Sequence, residues 1–454
     1  MTTSSSPAAG AVPQPLVVRT VRIDDPGALL DLLPRDAALA WVRRGDGIVG
    51  WGEVLRVPVT GPDRFADAER AWHEVLSHAV VRDEVHLPGT GAVAFGSFAF
   101  DEDSPAGGVV VVPEVVVGRR GGTSWLTTIE TGARIGAAPS LAAVARGRTP
   151  VTSPGAVTFA DGAVSADGWL HVVARAVAAI RAGEVDKVVL ARDVVARTDH
   201  PLDPRWVLDR LADGYPSCWT FSVDGMLGAT PELLVRSEKG LVTSRVLAGT
   251  IRRTGDDDAD LARAAILAHS SKDLEEHEYA VSSVADALAP FCSSTNVPDV
   301  PFVLHLPNVL HLASDVTGVL AAADPGHAGG LGHTGGLAGS SGPGHSGAPS
   351  SLALAAALHP TAAVCGTPTQ AARELIGRIE GMERARYAGP VGWFGADGDG
   401  EWGIALRSAE MDPDDPRRIR LFAGCGVVAA SNPAAELAES EAKLIPMRSA
   451  LASD

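Results

Sequence analysis

The chain closes with a segment, residues 423–443, whose pattern predicts a β-strand passing directly into a charged helix. Asn432 can cap that helix, and Pro433 fits its first position, where a missing N–H is tolerated. Charged or polar residues then recur on one helical face: Glu436, Glu439 or Ser440, and Lys443. Two glycines of the strand leave backbone N–H groups open to close approach: Gly424 and Gly426. This pattern favours an anionic ligand; the alternative is a solvated surface helix with one Glu–Lys pair.

A second acidic helix is predicted from Ser271 through Ala280 and beyond. Its apolar residues recur at helical spacing and predict a buried stripe: Val281, Val284, Leu288 and Phe291. The opposite face presents residues that could reach a metal: Glu275, Glu276 or His277. Carboxylates without a thiolate cluster suit Mg²⁺, which keeps bound waters and shares its shell with substrate oxygens. The two acidic helices therefore make a magnesium site a reasonable hypothesis.

Composition limits the classes of function. The chain has 454 residues, 46% of them hydrophobic, which is ample for one large catalytic unit. A net charge of −17 disfavours nucleic acid and anionic membranes as partners, so local cations and a metal must attract any anionic substrate. No apolar run is long enough to span a bilayer, and residues 1–15 lack the basic and apolar regions of a signal peptide. We expect a cytoplasmic protein with no membrane partner.

The order of predicted elements favours an α+β fold. Short apolar segments interrupted by Gly, Pro and Asp predict antiparallel strands, including Ala38–Val42, Ala92–Phe100, Val109–Val117 and Trp125–Ile129. Later segments predict helices over Leu170–Ala182 and Trp206–Ala212, with a strand over Val188–Val195 between them. Residues 1–15 and 321–350 cannot supply a core, so we predict a disordered tail and a flexible Gly/Ser/His-rich insertion.

Two ionisable residues in the middle of the chain could act as a base and an acid. Lys187 opens a predicted strand, where a lysine is ordinarily an exposed edge charge. In a closed pocket, desolvation would lower its pKa and make it a possible general base. Glu232 ends a turn, where a carboxylate is ordinarily a helix cap or a surface group. In a pocket its pKa would rise, and Glu232 could then donate a proton.

Other segments supply groups that could hold a substrate carboxylate. They are Gly249 and Thr250 in a glycine turn, His311 and Thr361 near predicted strand ends, and Tyr387 and Arg407 in a predicted strand pair. The glycine turn is also common in hairpins, and the histidine segments are also typical of structural residues. A guanidinium such as that of Arg407 can grip a carboxylate through two donors, although an exposed edge charge is the alternative.

The order of these motifs closely resembles the chorismate-utilising enzymes, which include isochorismate synthase, salicylate synthase, anthranilate synthase component I and aminodeoxychorismate synthase. The shared series comprises the Lys187 strand, Thr-Pro-Glu, Ala-Gly-Thr, residues 272–277, His-Pro-Thr, Tyr-Ala-Gly-Pro-Val-Gly and the Gly-x-Gly-Val-Val helix. The resemblance covers roughly residues 165–447. It implies a large single α+β catalytic unit of the anthranilate synthase component I type, with two β-rich halves flanked by helices and a central cleft. We expect an N-terminal β-rich half over 16–160 and a chorismate-binding region over 161–450.

Three positions indicate the branch of the family. Members that deliver ammonia lack a lysine at position 187, whereas members that add water have it, so the resemblance implies water as the nucleophile. Aminodeoxychorismate synthases commonly carry a nucleophilic lysine in the glycine turn, where this chain has Ala248, so a covalent lysine adduct is disfavoured. Residues 358–363, Leu-His-Pro-Thr-Ala-Ala, resemble the isochorismate and salicylate branch. A water-adding member needs no glutamine amidotransferase subunit.

The resemblance implies Mg²⁺-dependent conversion of chorismate to isochorismate. Lys187 would take a proton from water attacking ring C2, and Glu232 would protonate the leaving C4 hydroxyl. The implied metal ligands are Glu276, Glu436 and Glu439. The implied substrate contacts are Gly249, Thr250, His311, Thr361, Tyr387, Arg407, Gly424, Gly426 and Lys443.

Alternative functions remain open at this point. A salicylate synthase would first form isochorismate and then expel pyruvate from the same pocket. A regulatory relative would bind chorismate without turning it over. A Mg²⁺ phosphotransferase would also explain the acidic helices, but the chain has no Gly-x-x-x-x-Gly-Lys-Ser/Thr loop. We expect a monomer, and the habit of the family favours menaquinone over siderophore biosynthesis.

Overall fold

The computed structural model describes residues 15–132, 134, 136–144, 149–321 and 348–452, with only the backbone of Lys272. The predicted N-terminal tail, except residue 15, lies outside the described residues. The same holds for residues 322–347 of the predicted insertion.

Most of the described chain is β-structure, with helices set between groups of strands. The strands are β1 (Leu16–Ile23), β2 (Leu39–Arg43), β3 (Asp46–Trp51), β4 (Leu55–Val59), β5 (Val80–Asp83), β6 (Val93–Phe98), β7 (Gly108–Val112), β8 (Val115–Arg120), β9 (Thr123–Thr131), β10 (Val157–Asp161), β11 (Lys187–Thr198), β12 (Trp219–Val223), β13 (Met226–Thr230), β14 (Leu233–Glu238), β15 (Leu241–Arg252), β16 (Cys292–Asn296), β17 (Phe302–His305), β18 (Val309–Leu320), β19 (Gly366–Thr367), β20 (Pro390–Gly395), β21 (Gly400–Ile404), β22 (Ser408–Met411) and β23 (Arg418–Val427).

The helices cover the sheets and their edges. They are α1 (Arg64–Ser77), α2 (Leu141–Val144), α3 (Ala166–Arg181), α4 (Pro204–Gly214), α5 (Asp257–His269), α6 (Ser271–Leu288), α7 (Ser351–Leu358), α8 (Thr369–Ile379) and α9 (Pro433–Leu451), with 3₁₀ turns at Leu30–Leu32 and Ala289–Phe291. None of the helices in the described ranges combines the length and the apolar content that crossing a membrane requires.

The strands form two large sheets. The 13-stranded sheet has the order β10-β11-β23-β22-β13-β12-β2-β3-β8-β9-β1-β5, with β19 also paired to β11. The 10-stranded sheet has the order β16-β18-β15-β14-β21-β20-β6-β7-β4, with β17 also paired to β18. The described strand pairs are antiparallel except β1 with β5. Each sheet contains strands from 16–160 and from 161–450, so the two sheets do not coincide with those two stretches of sequence.

The prediction of one strand over Val109–Val117 is wrong, because the chain changes sheet within it. β7 pairs with β4 and β6 in the smaller sheet, whereas β8 pairs with β3 and β9 in the larger one. Pro113 lies at the crossing point. Proline has no N–H for a ladder hydrogen bond, so it interrupts a run that is otherwise rich in valine.

The two sheets pack face to face through an aromatic core. Trp41 of the larger sheet and Phe95 and Trp402 of the smaller sheet belong to one buried cluster. Glu401 of the smaller sheet accepts hydrogen bonds from two indoles of the larger sheet, Trp41 Nε1 at 2.9 Å and Trp219 Nε1 at 3.2 Å. Because tryptophan donates when its N–H is buried, these bonds join the sheets without leaving the indoles unsatisfied.

Helices on the outer faces bring the charged segments towards the sheets. The apolar stripe predicted for α6 is confirmed. Val281, Val284 and Leu288 are buried in the main core, and Phe291 packs at the margin of that core. The other face of the larger sheet joins a second core with α4 and α9, which includes Leu208, Leu444 and Met447. In the strand pair β11–β23, Val189 lies opposite Gly426, so the start of β11 adjoins the end of β23. The charged helix faces and the strand ends therefore meet at one place.

Candidate active site

A cavity opens where β11, β15, β18 and β23 meet α6 and α9. All residues predicted for the site except Thr361 line it: Lys187, Glu232, Gly249, Thr250, Glu276, His311, Tyr387, Arg407, Gly424, Gly426, Glu436, Glu439 and Lys443. They come from elements far apart in sequence, so the tertiary fold assembles the site. The lining combines cations, carboxylates and backbone amides, which can together hold an anion and move protons.

Lys187 is buried at the first position of β11, with 4% of its surface exposed. Its Nζ lies 2.8 Å from Glu276 Oε1 on α6. A Cβ on Gly426 would lie 2.7 Å from Glu276 Oε1 and 3.1 Å from Lys187 Cε. Both distances are shorter than ordinary van der Waals contact, so the glycine leaves the space that this ion pair occupies.

Glu232 follows the Thr230-Pro231 turn that joins β13 to β14, and it is buried with 4% exposure. Burial raises the pKa of its carboxyl to about 8, against the smaller opposing effects of a backbone hydrogen bond from Leu247 and the nearby charge of Lys187. At neutral pH the neutral acid therefore predominates. This is the environment that proton donation by Glu232 requires.

The helix predicted after the Gly-x-Gly strand is present as α9. Asn432 caps it by accepting hydrogen bonds from the N–H groups of residues 434 and 435, and Pro433 occupies its first turn. Lys443 Nζ lies 2.7 Å from Glu439 Oε1, and it donates to the carbonyl oxygen of Gly424 at 2.9 Å. The hydroxyl of Ser440 instead donates to the carbonyl of its own helical turn. Glu439 and Lys443 therefore act as a pair at the wall of the cavity.

Cys425 lies beside Glu436 at the base of this helix. Burial, reinforced by the charges of Glu439 and Glu436, raises the pKa of the Cys425 thiol well above its ordinary value. The group therefore stays a neutral thiol and not a nucleophilic thiolate.

His311 connects two predicted substrate contacts. Its Nδ1 lies 3.0 Å from Thr250 Oγ1, and its Nε2 lies 3.0 Å from Arg407 Nη2. The other terminal nitrogen of Arg407, Nη1, is buried and has no hydrogen-bond partner among the described residues. A buried guanidinium nitrogen in a cavity wall is suited to an incoming anion.

Tyr387 and two glycines shape the remaining wall. The ring of Tyr387 stacks on Phe422 with centroids 5.0 Å apart, and burial raises the pKa of its hydroxyl well above the ordinary value. A Cβ on Gly424 would lie 2.6 Å from the Leu190 carbonyl oxygen and 3.3 Å from the Tyr387 hydroxyl. Gly249 has φ +76°, a left-handed conformation that favours glycine. These glycines let backbone and phenol reach the cavity.

Some candidate groups lie elsewhere. Thr361 is buried, but it is not among the lining residues, whereas Ala363 and Val364 from the same segment are. Of the three groups considered on α6, Glu275 is exposed to solvent. His277 is buried with its Nε2 2.9 Å from Ser314 Oγ. Only Glu276 of the three lines the cavity.

The sequence interpretation missed two charged lining residues, Asp273 and Arg384. Asp273 lies one helical turn before Glu276, so its spacing was a usable signal. Arg384 pairs with Glu380 at 2.5 Å and donates to the carbonyl of Val189 at 2.7 Å. The four-residue spacing of Glu380 and Arg384 was a local signal of their ion pair, but the contact of Arg384 with Val189 could not be seen locally, because β11 is remote in sequence.

The carboxylates fit a magnesium ion by their chemistry. Glu276, Glu436 and Glu439 line one cavity. Across the described ranges, however, no three His, Cys, Asp or Glu side chains are gathered into a ready metal cluster. Mg²⁺ commonly binds through one or two carboxylates and completes its shell with water and substrate oxygens. The donor set therefore suits Mg²⁺ without forming a closed protein cage.

The fold and this cavity define an enzyme built to hold a small anion between buried cations and carboxylates. Residues 34–325 and 345–452 match the family described as chorismate binding enzyme. The chain belongs to the chorismate binding enzyme family, which confirms the resemblance seen in the motifs.

Two relatives have related names. The chain is 38% identical over 299 residues to isochorismate synthase DhbC of Bacillus subtilis, an alignment that covers 63% of this chain and 68% of the relative. It is 33% identical over 436 residues to the salicylate biosynthesis isochorismate synthase of Pseudomonas aeruginosa, covering 91% of this chain and 84% of the relative.

Two solved structures share the fold. The menaquinone-specific isochorismate synthase MenF of Escherichia coli matches with a TM-score of 0.75 at 23% identity, over 98% of this chain and 97% of that chain. Anthranilate synthase component I of Streptococcus pneumoniae matches with a TM-score of 0.65 at 21% identity, over 89% of this chain and 92% of that chain. The predicted α+β fold of the anthranilate synthase component I type is confirmed.

Proposed function

We propose that this protein is a Mg²⁺-dependent isochorismate synthase that isomerises chorismate. The observation that carries the proposal is the burial of Lys187 and Glu232 in one cavity, with the pKa of Glu232 raised to about 8. The reaction needs a base for water and an acid for a leaving hydroxyl. The names of the relatives in Bacillus subtilis and Pseudomonas aeruginosa support the same activity.

The proposed proton transfers balance. The step requires Lys187, which pairs with Glu276 in the structure, to have lost its ammonium proton first; as the base it then takes one proton from a water molecule while the water oxygen bonds to ring C2. The ring double bonds shift, the bond from C4 to its hydroxyl breaks, and Glu232 gives that hydroxyl a proton, so a second water leaves. One water molecule is added and one is released, so the product is an isomer of chorismate. Each proton transfer is expected to contribute about 10²–10⁴-fold to the rate.

The cavity offers separate groups for the two carboxylates of chorismate. The ring carboxylate is assigned to Gly249, Thr250 and Lys443. The enolpyruvyl carboxylate is assigned to these groups: Tyr387, Arg407 and the amides of Gly424 and Gly426. The unpartnered Nη1 of Arg407 supports the second assignment. The half-buried Lys443 and the buried Arg407 oppose the net charge of −17, which would otherwise repel a dianion.

Glu276, Glu436 and Glu439 are the residues that would hold Mg²⁺, since their carboxylates line the cavity beside the proposed ring-carboxylate site. When bound, the ion supplies Lewis-acid stabilisation of negative charge on the substrate. Lys187 and Glu232 still perform the proton transfers.

Product analysis tests the proposal. Purified protein is incubated with chorismate, with and without added Mg²⁺, and the products are separated by chromatography and identified by mass and ultraviolet spectrum. We expect isochorismate without stoichiometric pyruvate. Salicylate with pyruvate would identify a salicylate synthase, and chorismate binding without turnover would identify a non-catalytic relative. Either result would overturn the proposal.

The proposal extends to assembly and pathway. A water-adding enzyme needs no amidotransferase subunit, so the purified chain alone should be active, and we propose that it is a monomer. Light scattering coupled to gel filtration measures the oligomeric state. An activity assay on the eluted protein shows whether the chain alone is active. We also propose menaquinone biosynthesis as the destination of the product. Restoration of menaquinone in a bacterial strain that lacks its own menaquinone-specific isochorismate synthase tests the pathway.

A further inference from the structure

His311 is buried near the start of β18 with 5% of its surface exposed, between a hydroxyl and a guanidinium. The pairing of β15 with β18 shifts register between Ala248 and Thr250, which places Thr250 directly opposite His311. Gly249, in its left-handed conformation, forms the bulge. The bulge therefore aligns Thr250 Oγ1 with one ring nitrogen, while Arg407 Nη2 reaches the other, each at 3.0 Å.

The two contacts define the tautomer of the ring. A guanidinium has only donors, so Arg407 must donate and His311 Nε2 must accept. The neutral imidazole then carries its proton on Nδ1, and that N–H donates to Thr250 Oγ1, with the backbone of Gly249 as a further hydrogen-bond partner of the ring. Burial, with the positive charges of Arg407 and Lys443, holds the pKa of His311 well below its ordinary value. The ring therefore stays neutral and keeps this single arrangement.

The proton on His311 Nδ1 determines whether the Thr250 hydroxyl donates or accepts towards a ligand. Once the threonine oxygen accepts from Nδ1–H, its own hydroxyl hydrogen is available as a donor. Thr250 lines the cavity, so that donor can meet an anion there. On the other side, the bond to His311 holds Nη2 of Arg407, while Nη1 has no partner in the described part of the chain.

We propose that His311 is a positioning residue whose Nδ1–H tautomer makes Thr250 a hydroxyl donor to one substrate carboxylate and orients Arg407 for the other. The identity of the substrate as chorismate rests on the proposed function, whereas the tautomer does not. His311 acts through its two neighbours and needs no contact with the reacting atoms.

The first test measures the tautomer in the protein without substrate. Protein labelled with ¹⁵N-histidine is examined by NMR at neutral pH, and the His311 signals are identified by their loss in His311→Gln. We expect a neutral ring with Nδ1 protonated. A proton on Nε2, or on both nitrogens, would overturn the proposal. This readout involves no catalysis, so its result is distinct from failure of the proposed function.

The second test uses two substitutions of His311, each of which can retain one of its two side-chain hydrogen bonds. His311→Asn places an amide near the Nδ1 position, where it can still donate to Thr250 but leaves Arg407 without its acceptor. His311→Gln reaches the Nε2 position, where it can accept from Arg407 but cannot donate to Thr250. His171→Gln, on the exposed face of α3, is the matched control and should leave kinetics unchanged.

Combination with Thr250→Val separates the two roles. In the wild-type background we expect Thr250→Val to raise KM about 10- to 100-fold, the range for a hydrogen bond to a charged group, with kcat little changed. In His311→Gln the same change should add little, because Thr250 is no longer aligned. In His311→Asn it should keep its full effect. Equal effects in both backgrounds, with thermal melting showing all variants folded, would overturn the relay.

Discussion

Lys187 and Glu276 form an ion pair, with Nζ and Oε1 2.8 Å apart, between the proposed base and a proposed metal ligand. The Lys443–Glu439 pair repeats the relationship on α9 at 2.7 Å. Two of the three proposed ligands, Glu276 and Glu439, are therefore each paired with a lysine that the substrate or the reaction also requires. Such pairing prevents an uncompensated charge in a largely buried site. Binding of a metal to the carboxylates must compete with the lysines.

The first prediction concerns that competition. Lys187→Met should bind Mg²⁺ about tenfold more tightly than wild type, equivalent to about 1.4 kcal/mol, because Glu276 loses its competing partner. Isothermal titration calorimetry without substrate measures the affinity, so activity is not needed. Lys239→Met, on an exposed turn, is the control. Weaker Mg²⁺ binding in Lys187→Met would show that the lysine does not compete for the ligand.

The second prediction concerns the proton-transfer pair. Lys187→Ala and Glu232→Ala should each lower kcat about 10²–10⁴-fold, because each removes one proton transfer. Chorismate affinity should change much less. Rates are measured from isochorismate formation, and affinity is measured calorimetrically. Wild-type rates in both variants would remove the assignment of base and acid.

The third prediction concerns the pH dependence of activity. Glu232 must be protonated to donate, and burial raises its pKa to about 8. kcat/KM should therefore fall above about pH 8, approaching a tenfold loss for each further pH unit. A pH–rate profile measures this fall in kcat/KM, with the stability of the enzyme checked at each pH. A fall in kcat/KM that already begins near the ordinary carboxyl pKa as pH rises would contradict proton donation by a Glu232 with a raised pKa.

The fourth prediction concerns stability. The pKa of Glu232 is about 8 in the folded protein against an ordinary value of 4.5 for a glutamate carboxyl, so folding favours the protonated form. Its contribution to stability is present in full below about pH 4.5 and is lost as pH rises through about 8. Glu232→Gln does not titrate, so its melting temperature should rise relative to wild type across this window. Glu74→Gln, on the exposed face of α1, should track wild type throughout.

The fifth prediction concerns Gly426. Gly426→Ala would place a methyl group 2.7 Å from Glu276 Oε1, which should displace the Lys187–Glu276 pair. A misplacement of about 1 Å at a reacting group can cost about 10²-fold, so we expect a kcat loss of that order. Gly377→Ala is the control, since a Cβ there meets no atom within 4 Å. Full activity in Gly426→Ala would show that the pair is not required.

Local spacing predicted several helical positions at the cavity wall. Asn432, Pro433, Glu439 and Lys443 occupy the helical positions that their spacing predicted, because a helix turns by a constant angle per residue. The buried stripe of α6 followed from the same periodicity. The order of the motifs, taken with the family resemblance, identified the remaining charged lining residues except Asp273 and Arg384.

Contacts between remote segments were decided by packing. The placement of Arg384 against the carbonyl of Val189, the change of sheet at Pro113 and the absence of Thr361 from the lining have no local pattern that distinguishes them. The sequence alone determined which residues share a helix face, because backbone geometry sets that spacing over a few residues. Only the tertiary structure determined that Lys187 meets Glu276 and that Thr250 meets His311, because strand register and sheet packing set those distances.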